Sequence, residues 1–250
     1  MRFKDKSIVV TGGNSGIGRA AAKAFKDQGA KVAILGRNAT TVAQTVQDLG
    51  VLGQTCDVTD KDGLARVMTQ AKAENGAIDV LFANAGIAEF QLFEGAEPEH
   101  FKRVMDVNFH GTVNTIAAAL PHLNDGASIV LTTSIANQFG EPASAAYGAS
   151  KAAVKSLVST LSREFSPRGI RVNAVSPGPT ATPIFSKMGL EGEAFDQTRA
   201  ALGQAILAGR MGEEADQVAA VLYLASSDSS FVIGQELVVD GGLTGCNSIM

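Results

Sequence analysis

The chain has 250 residues, of which 45% are hydrophobic and 18% charged, with a formal net charge of −4. An acidic balance argues against nucleic acid or an anionic membrane as partner, and no apolar run reaches the ~20 residues of a membrane-spanning helix. The cysteines, Cys56 and Cys246, stand far apart and form no ligand or redox motif. A reduced, cytoplasmic setting is expected. Met1–Lys6 is charged and lacks a signal-peptide core, which fits that expectation. His100, His110 and His122 have no metal-ligand spacing with any Cys or carboxylate, so no metal is expected.

Short apolar runs alternate with helical patterns along the chain. Ser7–Val10 precedes a helix over Gly16–Gln28, and Lys31–Leu35 precedes one over Thr40–Leu49. Gly53–Cys56 is followed by Lys61–Glu74, and Ile78–Phe82 by loops and a long helix over Glu99–Leu120. Ser128–Thr133 leads into Ala145–Phe165. Ile170–Ala174 leads into an irregular stretch, Gly178–Gly212, read as a substrate lid. Glu214–Ala225 and a last strand, Glu236–Val239, complete the pattern. Nearly uniformly apolar strands alternating with helices predict an α/β fold. It is a single Rossmann-type domain over residues 1–250, a doubly wound seven-stranded parallel sheet with helices on both faces.

Thr11-Gly12-Gly13-Asn14-Ser15-Gly16-Ile17-Gly18 joins the first strand to the first helix. A loop there aims backbone amides and a helix N-terminus at a pyrophosphate, and Gly18 lets the helix pack close. A tight structural turn is the plainer reading of the same residues. The P-loop spacing Gly13 to Gly18 is followed by Arg19-Ala20, without the Lys and hydroxyl that a nucleotide triphosphatase needs. At the end of the second strand, Gly36-Arg37-Asn38 stands where an NAD site usually carries an acid. Arg37 and Asn38 suit a 2′-phosphate, although an exposed Arg after a strand can equally be a solvated loop residue. The lack of acid over Leu35–Thr41 favours NADP(H) over NAD(H). Asp57-Val58 could hold and cover an adenine, and Asn84-Ala85-Gly86 could line the ribose side.

Tyr147 and Lys151 are one helical turn apart, with Ser134 upstream. An ammonium there would favour the tyrosinate and lower a phenol pKa ordinarily near ~10. The three residue types read as general acid/base chemistry at a carbonyl oxygen. Lys155 extends the face by a turn and reads as solvated or ion-paired; Tyr223 reads as core.

In this order and spacing the motifs resemble the short-chain dehydrogenase/reductase family along essentially the whole chain. They are Thr11-Gly12-x3-Gly16-x-Gly18, Asp57, Asn84-Ala85-Gly86, Asn108, Ser134, Tyr147-x3-Lys151, Pro177-Gly178 with Thr182, and Val239-Asp240-Gly241-Gly242. The look is that of bacterial NADPH-dependent carbonyl reductases acting on ketones and secondary alcohols. The resemblance implies that Tyr147 is the acid in reduction and the base in oxidation. Lys151 would lower its pKa and bind the nicotinamide ribose, Ser134 would hold the substrate oxygen, and Asn108 would kink its helix and hold a relay water. Asn84 and Gly86 would lie against the ribose. Thr182 and the backbone after Pro177-Gly178 would grip the carboxamide, and Thr180 would be a further cofactor contact. A homotetramer is implied as well. Ala83 and Asn137 depart from the family's usual Asn and Gly. Phe90, Phe93, Phe139 and Phe185 come from segments the family places near the substrate, with core packing as the alternative; if they line the pocket, the substrate is apolar or aromatic. A 3-oxoacyl-[acyl-carrier-protein] reductase is an alternative reading, against which Asn124–Ser128 offers no basic residues. A non-catalytic NADP-binding sensor or scaffold is the alternative of another class.

Overall fold

The computed structural model describes residues 1–183, 185, 189 and 191–246. The strands are β1 Ser7–Thr11, β2 Lys31–Gly36, β3 Leu52–Thr55, β4 Ile78–Ala83, β5 Leu123–Thr132 and β6 Arg171–Pro177, then the two-residue pair β7 Thr180–Ala181 and β8 Gly212–Glu213, and β9 Glu236–Val239. The helices are α1 Gly16–Asp27, α2 Ala39–Leu49, α3 Lys61–Asn75, α4 Pro98–Met105, α5 Gly111–Ala119, α6 Ala145–Phe165, α7 Gly192–Ala205 and α8 Glu214–Ala225. Seven strands form one sheet in the order β3-β2-β1-β4-β5-β6-β9, and every pairing is parallel. The order reverses between β1 and β4, which places a crevice beyond their carboxyl ends.

The sheet is apolar on both faces because it is covered on both. Alternate residues of one strand point to opposite layers. Val9 and Leu35 join Leu64, Met68, Ile116, Val154 and Val158 from α3, α5 and α6. Ile8, Val10 and Ile34 join Ala22 and Phe25 of α1 and Val218, Val221 and Leu224 of α8. Burying each such side chain stabilises the fold by roughly 1.5–3 kcal/mol before the entropy cost.

Three expectations change. The long helix over Glu99–Leu120 is α4 and α5 joined by a π-turn at Asp106–His110, with Asn108 inside the turn. An inserted residue of this kind widens the helix locally and re-aims its side chains. The stretch Gly178–Gly212 contains α7, which has no buried residue and therefore left no apolar stripe in the sequence. Ile184, Ser186–Met188 and Leu190 of that stretch lie outside the described residues. Tyr223 is 37% exposed, since the inward stripe of α8 is Val218, Val221 and Leu224 and Tyr223 falls beside it.

Candidate active site

The glycine loop is built for close approach. Gly12 and Gly16 have φ of +67° and +51°, a region L side chains rarely enter. A Cβ on Gly18 would stand 2.3 Å from the Gly12 carbonyl, so α1 can pack against the loop only through hydrogen there. Ser15 is the N-cap of α1 but makes no side-chain cap bond, and the first turn holds no acid. The free amides at the start of this twelve-residue helix fit a pyrophosphate. Thr11 fastens the loop to its neighbour: its hydroxyl accepts from the amides of Asn84 and Ala85, each at 3.0 Å.

At the far end of the crevice the cofactor assignments divide. Asn14 donates to the Thr41 hydroxyl at 2.6 Å, and its amide lies over Gly36, where a Cβ would come within 2.1 Å of Asn14 Oδ1. A carboxylate at Gly36 would displace Asn14, which is a physical reason for the missing acid. Asn38 is less free than the sequence suggested, because its Oδ1 caps α2 by accepting from the Thr41 amide at 3.1 Å. Arg37 is exposed and pairs at the 4.0 Å limit with Asp57. Asp57 is oriented by the Thr59 amide and hydroxyl, which donate to its Oδ1 at 2.9 and 2.8 Å. Val58 turns inward: a Cβ on Gly111 would stand 2.5 Å from Val58 Cγ2. Its side chain is core, so Val58 offers a ligand no side-chain cover.

The reacting end gathers Ser134, Tyr147, Lys151, Asn108 and Gly86. Ser134 follows β5 and starts a short turn by accepting from the Ala136 amide at 3.2 Å. Tyr147 lies half-buried on the first turns of α6, with the Phe90 ring 5.7 Å away. Lys151 is 4% exposed; its Nζ donates to the Thr132 carbonyl at 2.8 Å and sits 5.8 Å from the Tyr147 ring centre. A Cβ on Gly86 would meet Asn108 Oδ1 at 3.0 Å and Lys151 Nζ at 3.5 Å, so the glycine leaves the space beside both open.

The pKa expectation for Tyr147 is corrected. Burial pushes its phenol upward, and only a hydrogen bond with Ser134 pulls the other way. Lys151 is itself pushed down to about 8 by burial. Desolvation disfavours the charged form of each group and is the largest cause of both shifts.

Asn108 is a clamp. Its Oδ1 accepts from the Ile87 amide at 2.8 Å, and its Nδ2 donates to the Ile87 carbonyl and to Ser150 Oγ, both at 2.9 Å. Ser150 Oγ in turn donates to the Tyr147 carbonyl at 2.7 Å. The π-turn thus ties the chain after β4 to the helix of Tyr147 and Lys151. Thr132, Ser150 and Ile87 escaped the sequence reading because two of them act through backbone carbonyls or amides, which no residue type advertises.

The remaining assignments lie beyond β6. Gly178 donates its amide to the Val239 carbonyl at 3.0 Å, and a Cβ there would strike the Asp240 backbone at 2.6 Å. Pro177 pairs in register with Val239. Thr180 is 6% exposed and internally engaged, donating to the Gly178 carbonyl at 2.9 Å and accepting from Gln217 at 3.1 Å. Thr182 is the freer of the two and lies beside Gly16, where a Cβ would be 3.7 Å from Thr182 Cβ.

A parallel sheet with a glycine loop at its switch point, facing a Ser–Tyr–Lys cluster, defines a nucleotide-dependent oxidoreductase architecture. The family model described as enoyl-(acyl carrier protein) reductase matches residues 12–244. A 3α-hydroxysteroid dehydrogenase of Mediterraneibacter gnavus is 36% identical over 250 residues, covering 96% of this chain and 98% of its own. A cis-4-hydroxycyclohexanecarboxylate dehydrogenase of Sinomonas cyclohexanicum is 37% identical over 249 residues, covering 97% and 98%. A solved short-chain dehydrogenase/reductase of Brucella melitensis, described as a glucose/ribitol dehydrogenase, superimposes with a TM-score of 0.91 at 30% identity, covering 97% of this chain and 98% of that one. The chain belongs to the short-chain dehydrogenase/reductase family, whose members use nicotinamide cofactors. It is an oxidoreductase acting on CH–OH groups.

Proposed function

We propose that the chain moves hydride between NADP(H) and an apolar cyclic ketone/secondary alcohol pair, as a carbonyl reductase. The observation that carries this is the convergence of Ser134, Tyr147 and Lys151 beside the uncluttered Gly86. The cofactor, when bound, supplies the hydride. The substrate's carbonyl oxygen would need a proton as its carbon is reduced. Ser134 holds that oxygen and Tyr147 delivers its proton to it; solvent reprotonates Tyr147. Lys151, held by Thr132, faces the ribose side, and Asn108 fixes the neighbouring backbone. The proposed contacts are Gly12, Asn14, Ser15, Gly16, Ile17 and Gly18 for the pyrophosphate, and Asn84, Ala85 and Gly86 for the ribose. Asp57 serves the adenine, and Gly178 and Thr182 the carboxamide.

The preference for NADP(H) rests on Arg37 and on Gly36, where Asn14 leaves no room for an acid. The substrate class rests on Phe90, 39% exposed against Tyr147, and on the cyclic alcohols named for the two dehydrogenase relatives. Residues 178–212 are proposed as the lid, within which Phe185 and Phe195 pair at 5.5 Å. A cytoplasmic homotetramer completes the reading. Phe231, Ile233 and Leu237, exposed along or before the β9 edge, support it, and light scattering tests it. Among the described residues no helix is long and apolar enough to cross a membrane.

The test is Tyr147→Phe with NADPH and a panel of cyclic ketones. A loss of roughly 10²–10⁴ in kcat is expected, and activity within about tenfold of wild type refutes the role. Similarity to a 3-oxoacyl-[acyl-carrier-protein] reductase of Thermotoga maritima, 34% identical over 250 residues, keeps one second reading, a reductase of carrier-bound 3-oxoacyl groups. Faster turnover of a carrier-bound than of a free ketone would favour it.

A further inference from the structure

Asn137 and Lys155, which the reaction above does not use, meet on one carboxylate. Glu236 opens β9, and its side chain is 7% exposed. Its Oε1 accepts from Asn137 Nδ2 at 2.5 Å, and its Oε2 pairs with Lys155 Nζ at 2.7 Å. Lys155 also reaches Gln138 Oε1 at 3.5 Å.

Each partner leads to a reacting group. Asn137 ends the turn that Ser134 begins, and its amide donates to the Ser134 carbonyl at 3.0 Å. Lys155 lies one turn beyond Lys151 and two beyond Tyr147 on α6. Where turn and helix touch, Gly148 allows an approach so close that a Cβ would stand 2.6 Å from the Ala136 carbonyl. Such a contact has little shape of its own to resist sliding. A buried carboxylate with two directional, charge-assisted bonds has.

We propose that Glu236 is a positioning residue that sets Ser134 against Tyr147, by holding the Ser134 turn through Asn137 and the Tyr147 helix through Lys155. The proposal deepens the carbonyl-reductase reading and rests on it for its catalytic consequence. Its structural consequence stands alone. The Ser134 hydrogen bond is what opposes the upward push of burial on the Tyr147 phenol. Loosening Ser134 must therefore raise the Tyr147 titration further. Loss of alignment by a fraction of an ångström also lowers kcat, whereas the glycine loop, at the other end of the crevice, keeps its grip on the cofactor.

The chain has two tyrosines and no tryptophan, so a Tyr223→Phe background leaves Tyr147 as the sole phenol. The experiment titrates phenolate absorbance in that background for wild-type Glu236, Glu236→Ala, Glu236→Gln and Asn137→Ala. The expected result is a Tyr147 titration moved to higher pH in Glu236→Ala and Asn137→Ala. In parallel, kcat falls about tenfold or more with unchanged NADPH affinity. Glu236→Gln keeps an acceptor for Asn137 but turns a donor amide toward Lys155, so it recovers only part of both. An unmoved titration with kcat within about twofold of wild type in folded Glu236→Ala overturns the proposal. If that variant does not fold, Asn137→Ala decides alone, by the same two readouts. A chain that reduces no ketone even with Glu236 intact sinks the carbonyl-reductase reading, while the titration still judges the Glu236 proposal.

Discussion

Lys151 Nζ donates to the carbonyl of Thr132, 2.8 Å away, and this bond holds an almost fully buried ammonium at the end of β5. The lysine's pKa is pushed from 10.5 to about 8 by burial, so its charged form is the unfavourable one in the folded chain. Below pH 8 both folded and unfolded chains carry the proton, and the full cost of the buried charge applies. Between about 8 and 10.5 the folded chain releases the proton first, and stability rises with pH by up to roughly 3 kcal/mol. Lys151→Met removes that cost. Its urea midpoint at pH 7 is expected to equal or exceed that of the wild type, while kcat falls at least roughly 10²-fold. Urea melts and turnover on one preparation check both.

Cofactor choice is read at Arg37. Arg37→Asp is expected to weaken NADPH by roughly two orders of magnitude, since it replaces a guanidinium–phosphate pair with a like charge. NADH should change little or improve, because the new carboxylate can serve a ribose hydroxyl. Dissociation constants for both reduced cofactors are the measurement; equal losses would remove Arg37 from the 2′-phosphate site.

Asn108 tests the clamp. Asn108→Ala leaves the amide and carbonyl of Ile87 without their partners at 2.8 and 2.9 Å. Unsatisfied groups cost up to about 1–3 kcal/mol each when buried, and these are partly buried, so a loss of roughly 1–3 kcal/mol in unfolding free energy is expected. Denaturant titration reads the stability, and kcat on the folded fraction reads the loss of alignment between Gly86 and Lys151.

Acid stability has a separate source. The Arg210 guanidinium, through bonds at 2.7 and 2.8 Å, and the Glu213 amide hold the Asp216 carboxyl down from 3.8 to about 2. A carboxylate lowered on folding contributes stability in full above 3.8 and loses it as pH falls through about 2. Solvent reaches this pair, so the contribution is discounted to about 1 kcal/mol. Asp216→Asn should lower the melting temperature at pH 6 by a few degrees and leave stability near pH 2 unchanged.

Much of the fold was legible because its signals are local. Alternating apolar runs and helices need no partner to be recognised. Glu214–Ala225, Ala145–Phe165 and Glu236–Val239 stand where their patterns placed them. The helix α7 was not legible, since a helix without a buried face leaves no periodicity. The π-turn at Asn108 was not visible as such either, because one extra residue in a helix changes no composition.

The sequence by itself determined which chemical groups could be present: a glycine loop without an acid after β2, and a Ser, a Tyr and a Lys in the right order. Tertiary structure decided what those groups are. It committed Asn38 and Thr180 to capping and internal bonds, turned Val58 into the core, and raised the Tyr147 phenol where local spacing argued for lowering it. The reason is physical. Residue type and spacing fix what a side chain can donate or accept, but burial and the backbone carbonyls it meets fix its charge and its partner, and both come from strands and helices distant in sequence.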